Sequence, residues 1–226
     1  MRTAFALAHT AAEISEFYGA ATSRTSGWGP SYHFAANRKI VVVRQRLEHG
    51  LRTLTLETAS WGLSPEWNTG ELKPVYAIGV DRVGNNGLFA AALARQRCLV
   101  PLNGFYAWQR SGAVAEPRYV HGTEPILSAM GVFTTRVVNG RAILTVALLT
   151  GERPGAQSRE WPSVLTPADA RLWLNGAVDT AVDLPLVEFQ ARSAALAEGL
   201  LSYRIGDGIN AVVPRDSARL VRLLGS

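Results

Sequence analysis

The stretch from Arg97 to Trp108, Arg-Cys-Leu-Val-Pro-Leu-Asn-Gly-Phe-Tyr-Ala-Trp, constrains the fold of this chain more than any other. Two short apolar runs flank Pro101 to Gly104. The pattern reads as buried strand, tight turn, buried strand, with proline and glycine supplying the turn chemistry. On physical grounds alone it predicts a hairpin-like element in the core.

The rest of the chain supplies many more short strands and a few helices. Met1 to Leu7 reads as a strand. Thr10 and Glu13 form a capping box that opens a helix with Ile14, Phe17 and Tyr18 on one face, and Gly19 closes it. Ala20 to Pro30 is a Ser/Thr/Gly-rich loop. Ile40 to Arg46 and Leu51 to Thr58 form a hairpin about His49-Gly50. Pro74 to Asp81 is a strand and Gly87 to Arg95 a short Ala/Leu helix leading into the central stretch. Beyond Trp108, an exposed turn over Gln109 to Glu116 precedes strands at Arg118 to His121, Ile126 to Phe133 and Arg141 to Leu149, the last bounded by Asn139-Gly140. A polar loop spans Gly151 to Glu160. Thr166-Pro167 starts a helix that Gly176 stops, and a second helix runs from Leu186 to Glu198, closed by Gly199. Short strands at Leu200 to Ile205 and Ala211 to Val213 and a basic amphipathic tail from Ser217 to Leu224 complete the chain. The expectation is one α+β domain over residues 1–226, with a curved or barrel-like, mostly antiparallel sheet flanked by short helices.

At 226 residues and 47% hydrophobic content there is ample material for a core. The formal net charge is +5, and every cation except Lys39 and Lys73 is an arginine. Arginine suits phosphate, so nucleic acid is an expected partner; a GC-rich coding bias yields the same composition. The single cysteine, Cys98, rules out a disulfide framework and a multi-cysteine zinc site. No signal-type apolar run and no stretch of about 20 apolar residues is present, so a cytoplasmic protein with no membrane partner is expected.

Taken as a string, Arg97 to Trp108 resembles the central signature of the SRAP family, the SOS-response-associated peptidase proteins that cross-link themselves to abasic sites in DNA. Trp61-Gly62-Leu63-Ser64-Pro65-Glu66-Trp67 is similar to that family's Trp-Gly-Leu-x-Pro-x-Trp loop, and Ala129-Met130-Gly131-Val132-Phe133 to its Ala-Gly-Leu-(Trp/Tyr) strand. The resemblance implies a chemistry in which a cysteine following the initiator methionine uses its amine and thiolate to close a thiazolidine on the abasic-site aldehyde, helped by an asparagine, a glutamate and a histidine.

At the matching positions this chain has Arg2 for the cysteine, Ala77 for the asparagine, Ala107 for the glutamate and, in a loop before the retained Pro162, Ser158 near the histidine. Ala4 and Gly79 replace arginines of the pattern. Arg2 is also expected to block removal of Met1. The resemblance therefore implies a catalytically inactive family member kept as a binding module, weakly and non-specifically binding single-stranded DNA, linked to DNA damage or DNA metabolism, without cofactor or metal. Arg2, Trp61, Trp67, Arg82 and Asn103 are its candidate nucleic-acid contacts, the tryptophans as stacking platforms or as caps on the core. Two other readings stand beside it: a structural or protein-interaction role with a protein partner, and an altered site with residual cross-linking or peptidase-like activity. Cys98 lies in an apolar run and reads as core; His9, His33, His49 and His121 show no ligand spacing. Arg2 is further expected to plug the vacated pocket, held by Asp81, Glu160 or nearby carbonyls.

Overall fold

The structure is a computed structural model that describes residues 4–65, 73–85, 87–111, 114–151, 161–176, 184–211 and 214–223. Its centre is a small barrel. Strands β4 (Lys39–Glu48) and β5 (Leu51–Trp61) form a hairpin whose turn residues His49 and Gly50 both have positive φ, as the dipeptide requires. β4 meets β7 (Arg97–Leu102), β7 pairs along its length with β10 (Leu127–Val138), and β10 pairs with β11 (Arg141–Gly151) across the Asn139-Gly140 turn. β11 then runs parallel to β5, with Val146 opposite Trp61, which closes the ring of five strands. Four short strands extend this sheet: β2 (Ala21–Thr22), β6 (Ala77–Gly79), β12 (Trp161–Pro162) and β13 (Val164–Leu165).

A second sheet carries β1 (Ala4–Leu7), β3 (Ser31–Ala35), β8 (Gly104–Ser111), β9 (Val114–His121) and β14 (Leu201–Arg204), in the order β14-β9-β8-β1-β3. Period-two alternation divides its side chains. Phe5 and Phe105 join the core shared with the barrel, whereas Ala4, Ala6, Tyr106 and Tyr119 face away, under Ile205, Ile209 and Leu220 of the C-terminal segment. Asp216 pins that segment by accepting hydrogen bonds from Ser31 Oγ (2.6 Å) and the Tyr32 N–H (2.7 Å).

The helices are α1 (Ala11–Tyr18), α2 (Val80–Val83), α3 (Gly87–Arg95), α4 (Pro167–Gly176) and α5 (Leu186–Glu198). α1 has the expected capping box, with the Glu13 carboxylate accepting from the Thr10 N–H and the Glu13 N–H donating to Thr10 Oγ1, and Gly19 ends it at φ 61°. Trp173 of α4 packs outside the barrel, where its indole donates to the Cys98 carbonyl (3.0 Å) and the Arg97 guanidinium lies 4.5 Å from its ring centre.

Several expectations change. The central stretch is not a hairpin: β7 belongs to the barrel and β8 to the second sheet, and the two do not pair. Pro101 to Gly104 is a corner at which the chain leaves one sheet for the other. The strand expected over Pro74 to Asp81 shortens to Ala77–Gly79 and passes into α2. β3 arises beyond the expected loop, because its Phe34 finds Phe5 across the sheet. Of the strand expected over Ala211 to Val213, only Ala211 is described, and it forms a bend.

Opposite Trp173, the inward faces of β4 and β5 enclose a charge. Glu57 is 2% exposed and receives Arg44 Nε (3.1 Å) and Nη2 (3.0 Å) and Thr55 Oγ1 (2.9 Å), with Arg46 Nε at 3.0 Å. Burial acts to raise the Glu57 pKa, but the hydrogen bonds and charge of Arg44, with Thr55 and Arg46, outweigh it and hold the carboxyl below its usual range. A carboxyl lowered by folding stabilises the native state above its unfolded pKa of about 4.3, and the contribution disappears as pH falls through the folded value. Glu57→Gln leaves a largely buried guanidinium without its counter-charge and is expected to cost about 3–5 kcal/mol in urea unfolding at neutral pH. The difference from the parent should shrink below pH 4; a neutral-pH cost under about 1 kcal/mol contradicts the assignment.

Candidate functional site

The two sheets meet around the corner after β7. Asn103 donates its backbone N–H to the Ala6 carbonyl (2.7 Å), and its Oδ1 accepts from the Ala8 N–H (2.6 Å). Its Nδ2 donates to the Pro125 carbonyl (2.6 Å) and lies 2.7 Å from His9 Nδ1. A flipped amide would set acceptor against acceptor at Pro125 and donor against donor at Ala8, so the network fixes the orientation. Gly104 follows for steric reasons: a Cβ there would meet the Val120 carbonyl oxygen and lie 2.6 Å from the Tyr119 ring. Asn103 thus spends its side chain on binding β1 and the 122–125 turn to the corner.

Aromatic contacts fill the seam between the sheets. Phe5 lies against Trp61 with ring centres 5.2 Å apart, and Phe105 meets Trp161 edge-on at 4.9 Å. Trp61 is 1% exposed and donates its indole N–H to the Tyr76 carbonyl (2.9 Å), so it caps the core and offers no face to a base. Trp67 lies outside the described residues, as do Arg2, Ser158 and Glu160.

Ala77 and Ala107 are both described. Ala77 pairs with Leu148 on β11, and Ala107 pairs with Arg118 on β9 while packing, half-buried, against the shared core. β11 connects their surroundings: two residues beyond Leu148, Thr150 pairs with Pro162, and the neighbouring Trp161 sits against Phe105, two residues before Ala107. Neither methyl group can accept or deliver a proton or bind a sugar hydroxyl.

A cleft of about 280 Å³ opens beside this seam, lined by Gly79, Val80, Asp81, Arg82, Thr150, Gly151 and Gln190. At Gly79 the exposed Asp81 carboxylate folds back over the backbone, into space that a Cβ would otherwise take. Asp81 and Arg82 are largely exposed and 4.0 Å apart, a surface pair of little energetic weight. The cleft therefore offers hydroxyl, amide and backbone groups and a balanced charge pair. Gln190 reaches it from α5, more than a hundred residues along the chain, a placement that no local signal announces.

Cys98 is fully buried on β7; burial pushes its thiol pKa far up, with the charge of Arg44 offsetting part of the shift, so the thiolate is inaccessible. Among the described residues, no group of three or more His, Cys, Asp or Glu is placed to hold a metal ion.

A barrel closed by a parallel β5–β11 contact, joined at an Asn-Gly corner to a second antiparallel sheet, defines a distinct α+β class of protein. The profile of the SOS response associated peptidase family matches residues 1–212, and the chain belongs to that family. Three solved structures are similar over nearly their whole length. A protein from Bacteroides thetaiotaomicron aligns at 19% identity and TM-score 0.76, covering 97% of this chain and 98% of its own. A phage-related protein from Bordetella bronchiseptica aligns at 18% identity and TM-score 0.63 (90% and 93%), and another protein from that organism at 15% and 0.67 (91% and 100%). At these identities the likeness concerns the fold. No curated protein matches the sequence.

Asn103→Ala removes the acceptor for Ala8 and the donor to Pro125 in a half-buried setting. It is expected to lower stability by roughly 1–3 kcal/mol in urea unfolding while leaving nucleic-acid affinity unchanged. A variant of parental stability that loses affinity instead would return Asn103 to the ligand contacts.

Proposed function

We propose that this protein is a non-covalent binding module on the SRAP scaffold, with single-stranded nucleic acid as its ligand. The observation that carries the reading is the alanine at Ala77 and Ala107, the two described positions where the resemblance puts a proton-handling group, both within the stretch the family matches. Arg2 at the nucleophile position and the unreactive setting of Cys98 point the same way.

Binding without bond formation needs cations, and a row of them flanks the seam. The Thr58 N–H donates to the Arg24 carbonyl (3.0 Å), Lys39 pairs with Ser60, and the Trp61 N–H donates to the Arg38 carbonyl (2.9 Å). Arg24, Arg38 and Lys39 are exposed, as is Lys73 just before the Val75–Leu63 bridge. These cations lie at the C-terminal end of β5. Because β5 and β11 are parallel, that is also the end of the barrel at which the Thr150–Gly151 cleft opens. Phosphate contacts from such a row give sequence-independent, salt-sensitive affinity.

Fluorescence anisotropy with a labelled single-stranded oligonucleotide tests this. The expected Kd is about 10⁻⁴–10⁻⁶ M near physiological salt, weakening steeply as salt rises. Arg38→Glu with Lys39→Glu should reduce the slope of log K against log salt by about 0.7 per lost contact. Absence of binding at low salt would overturn the reading in favour of a protein-interaction role.

A further inference from the structure

The pole of the barrel opposite the cleft has its own character. β5 and β11 run parallel, so their N-terminal ends lie at one pole, and there the β4–β5 and β10–β11 turns both project. Of the seven large hydrophobic residues exposed among the described residues, four stand on these two tips: Leu47 at 60%, Leu51 at 70%, Val137 at 54% and Val138 at 36%. Two of them face arginines across the hairpin, Leu47 opposite Arg52 and Val138 opposite Arg141.

Charge gathers at the same place. Near the two turns the hairpin arms carry Arg52, Arg136 and Arg141, and Arg95 stands at the end of α3 that leads into β7; Glu48 is the one acid of these arms besides Glu57. Glu57 is already engaged inside the barrel by Arg44 and Arg46. Arg136 and Arg141 stand on the β10–β11 tip beside Val137 and Val138, and Arg52 stands across from Leu47 on the β4–β5 tip, so each aliphatic tip carries arginine.

Each anionic partner answers a different part of this pattern. A nucleic-acid backbone answers the arginines but leaves aliphatic knobs against phosphates, with the His49 imidazole alone, and no Phe, Tyr or Trp, at the tips for a base to stack on. A second copy of the chain brings the same positive pole and is repelled. An anionic bilayer answers both features, since it takes aliphatic side chains into the acyl boundary and holds arginines at the headgroups. Attachment of this kind is reversible and requires no spanning helix; none of the described helices is long and apolar enough to be one.

We propose that this pole docks on anionic membrane surfaces through the tips of the β4–β5 and β10–β11 hairpins. The inference is independent of nucleic-acid binding at the other pole. The test is co-sedimentation with vesicles of phosphatidylcholine alone and of phosphatidylcholine with about one third phosphatidylglycerol, alongside anisotropy with a duplex oligonucleotide. The full chain should bind the anionic vesicles, not the neutral ones, and be released by high salt. Leu47→Ser with Leu51→Ser, and separately Arg136→Glu with Arg141→Glu, should each cut partitioning about tenfold or more. Val187→Ser, an exposed apolar site on α5, should leave partitioning unchanged, and circular dichroism confirms that each variant is folded. No binding to anionic vesicles, equal binding by the tip variants, or duplex binding that uses these arginines without vesicle binding would each overturn the proposal.

Discussion

The corner at Asn103-Gly104 is the constraint on which the rest of the structure depends. A five-stranded barrel and a second sheet can share one core only if a strand leaves the first and enters the second without stranding its backbone polar groups. Asn103 solves this by taking the Ala8 N–H, supplying a donor to Pro125 and contacting His9, while its own N–H goes to Ala6. Gly104 lets β8 pass beneath the Tyr119 ring. With the sheets fixed there, Phe5 reaches Trp61 and Phe105 reaches Trp161, and the Thr150–Gly151 cleft opens beside the seam between them.

Much of the local structure was legible because its signals are local. The Thr10–Glu13 box, the His49-Gly50 and Asn139-Gly140 turns and the helix starting after Thr166 each depend on a few neighbouring residues, and each forms as read. The hairpin expected at Pro101 to Gly104 failed for the complementary reason. Turn chemistry reports that a chain changes direction, but which strands then pair is decided by distant partners, here β10 for β7 and β1 with β9 for β8. Trp61 shows the same limit: its sequence loop allowed either stacking or burial, and Phe5 and the Tyr76 carbonyl decide for burial. The residues of the candidate site, Ala77 and Ala107, carry no signal of their own and became visible only through the resemblance of the segments around them. Thr150 and Gln190 are assembled by tertiary packing alone.

Ala77 and Ala107 occupy framework strands, where an alanine in a half-buried position leaves no charge to compensate and no donor to satisfy. Asn103, Gly104 and the Glu57 cluster are different, since each supports packing or satisfies buried polar groups that nothing nearby replaces. On the reading proposed above, Ala77 and Ala107 stand where the fold asks for nothing beyond a small side chain, whereas Asn103, Gly104 and Glu57 stand where it does.

The claim that this scaffold binds without reacting is tested most directly by intact-protein mass spectrometry after incubation with a single-stranded oligonucleotide carrying an abasic site. The account predicts that all of the protein keeps its unmodified mass, whatever fraction was bound before denaturation. A species heavier by the mass of the oligonucleotide less water, stable to heat and mapping to the first residues of the chain, would contradict it.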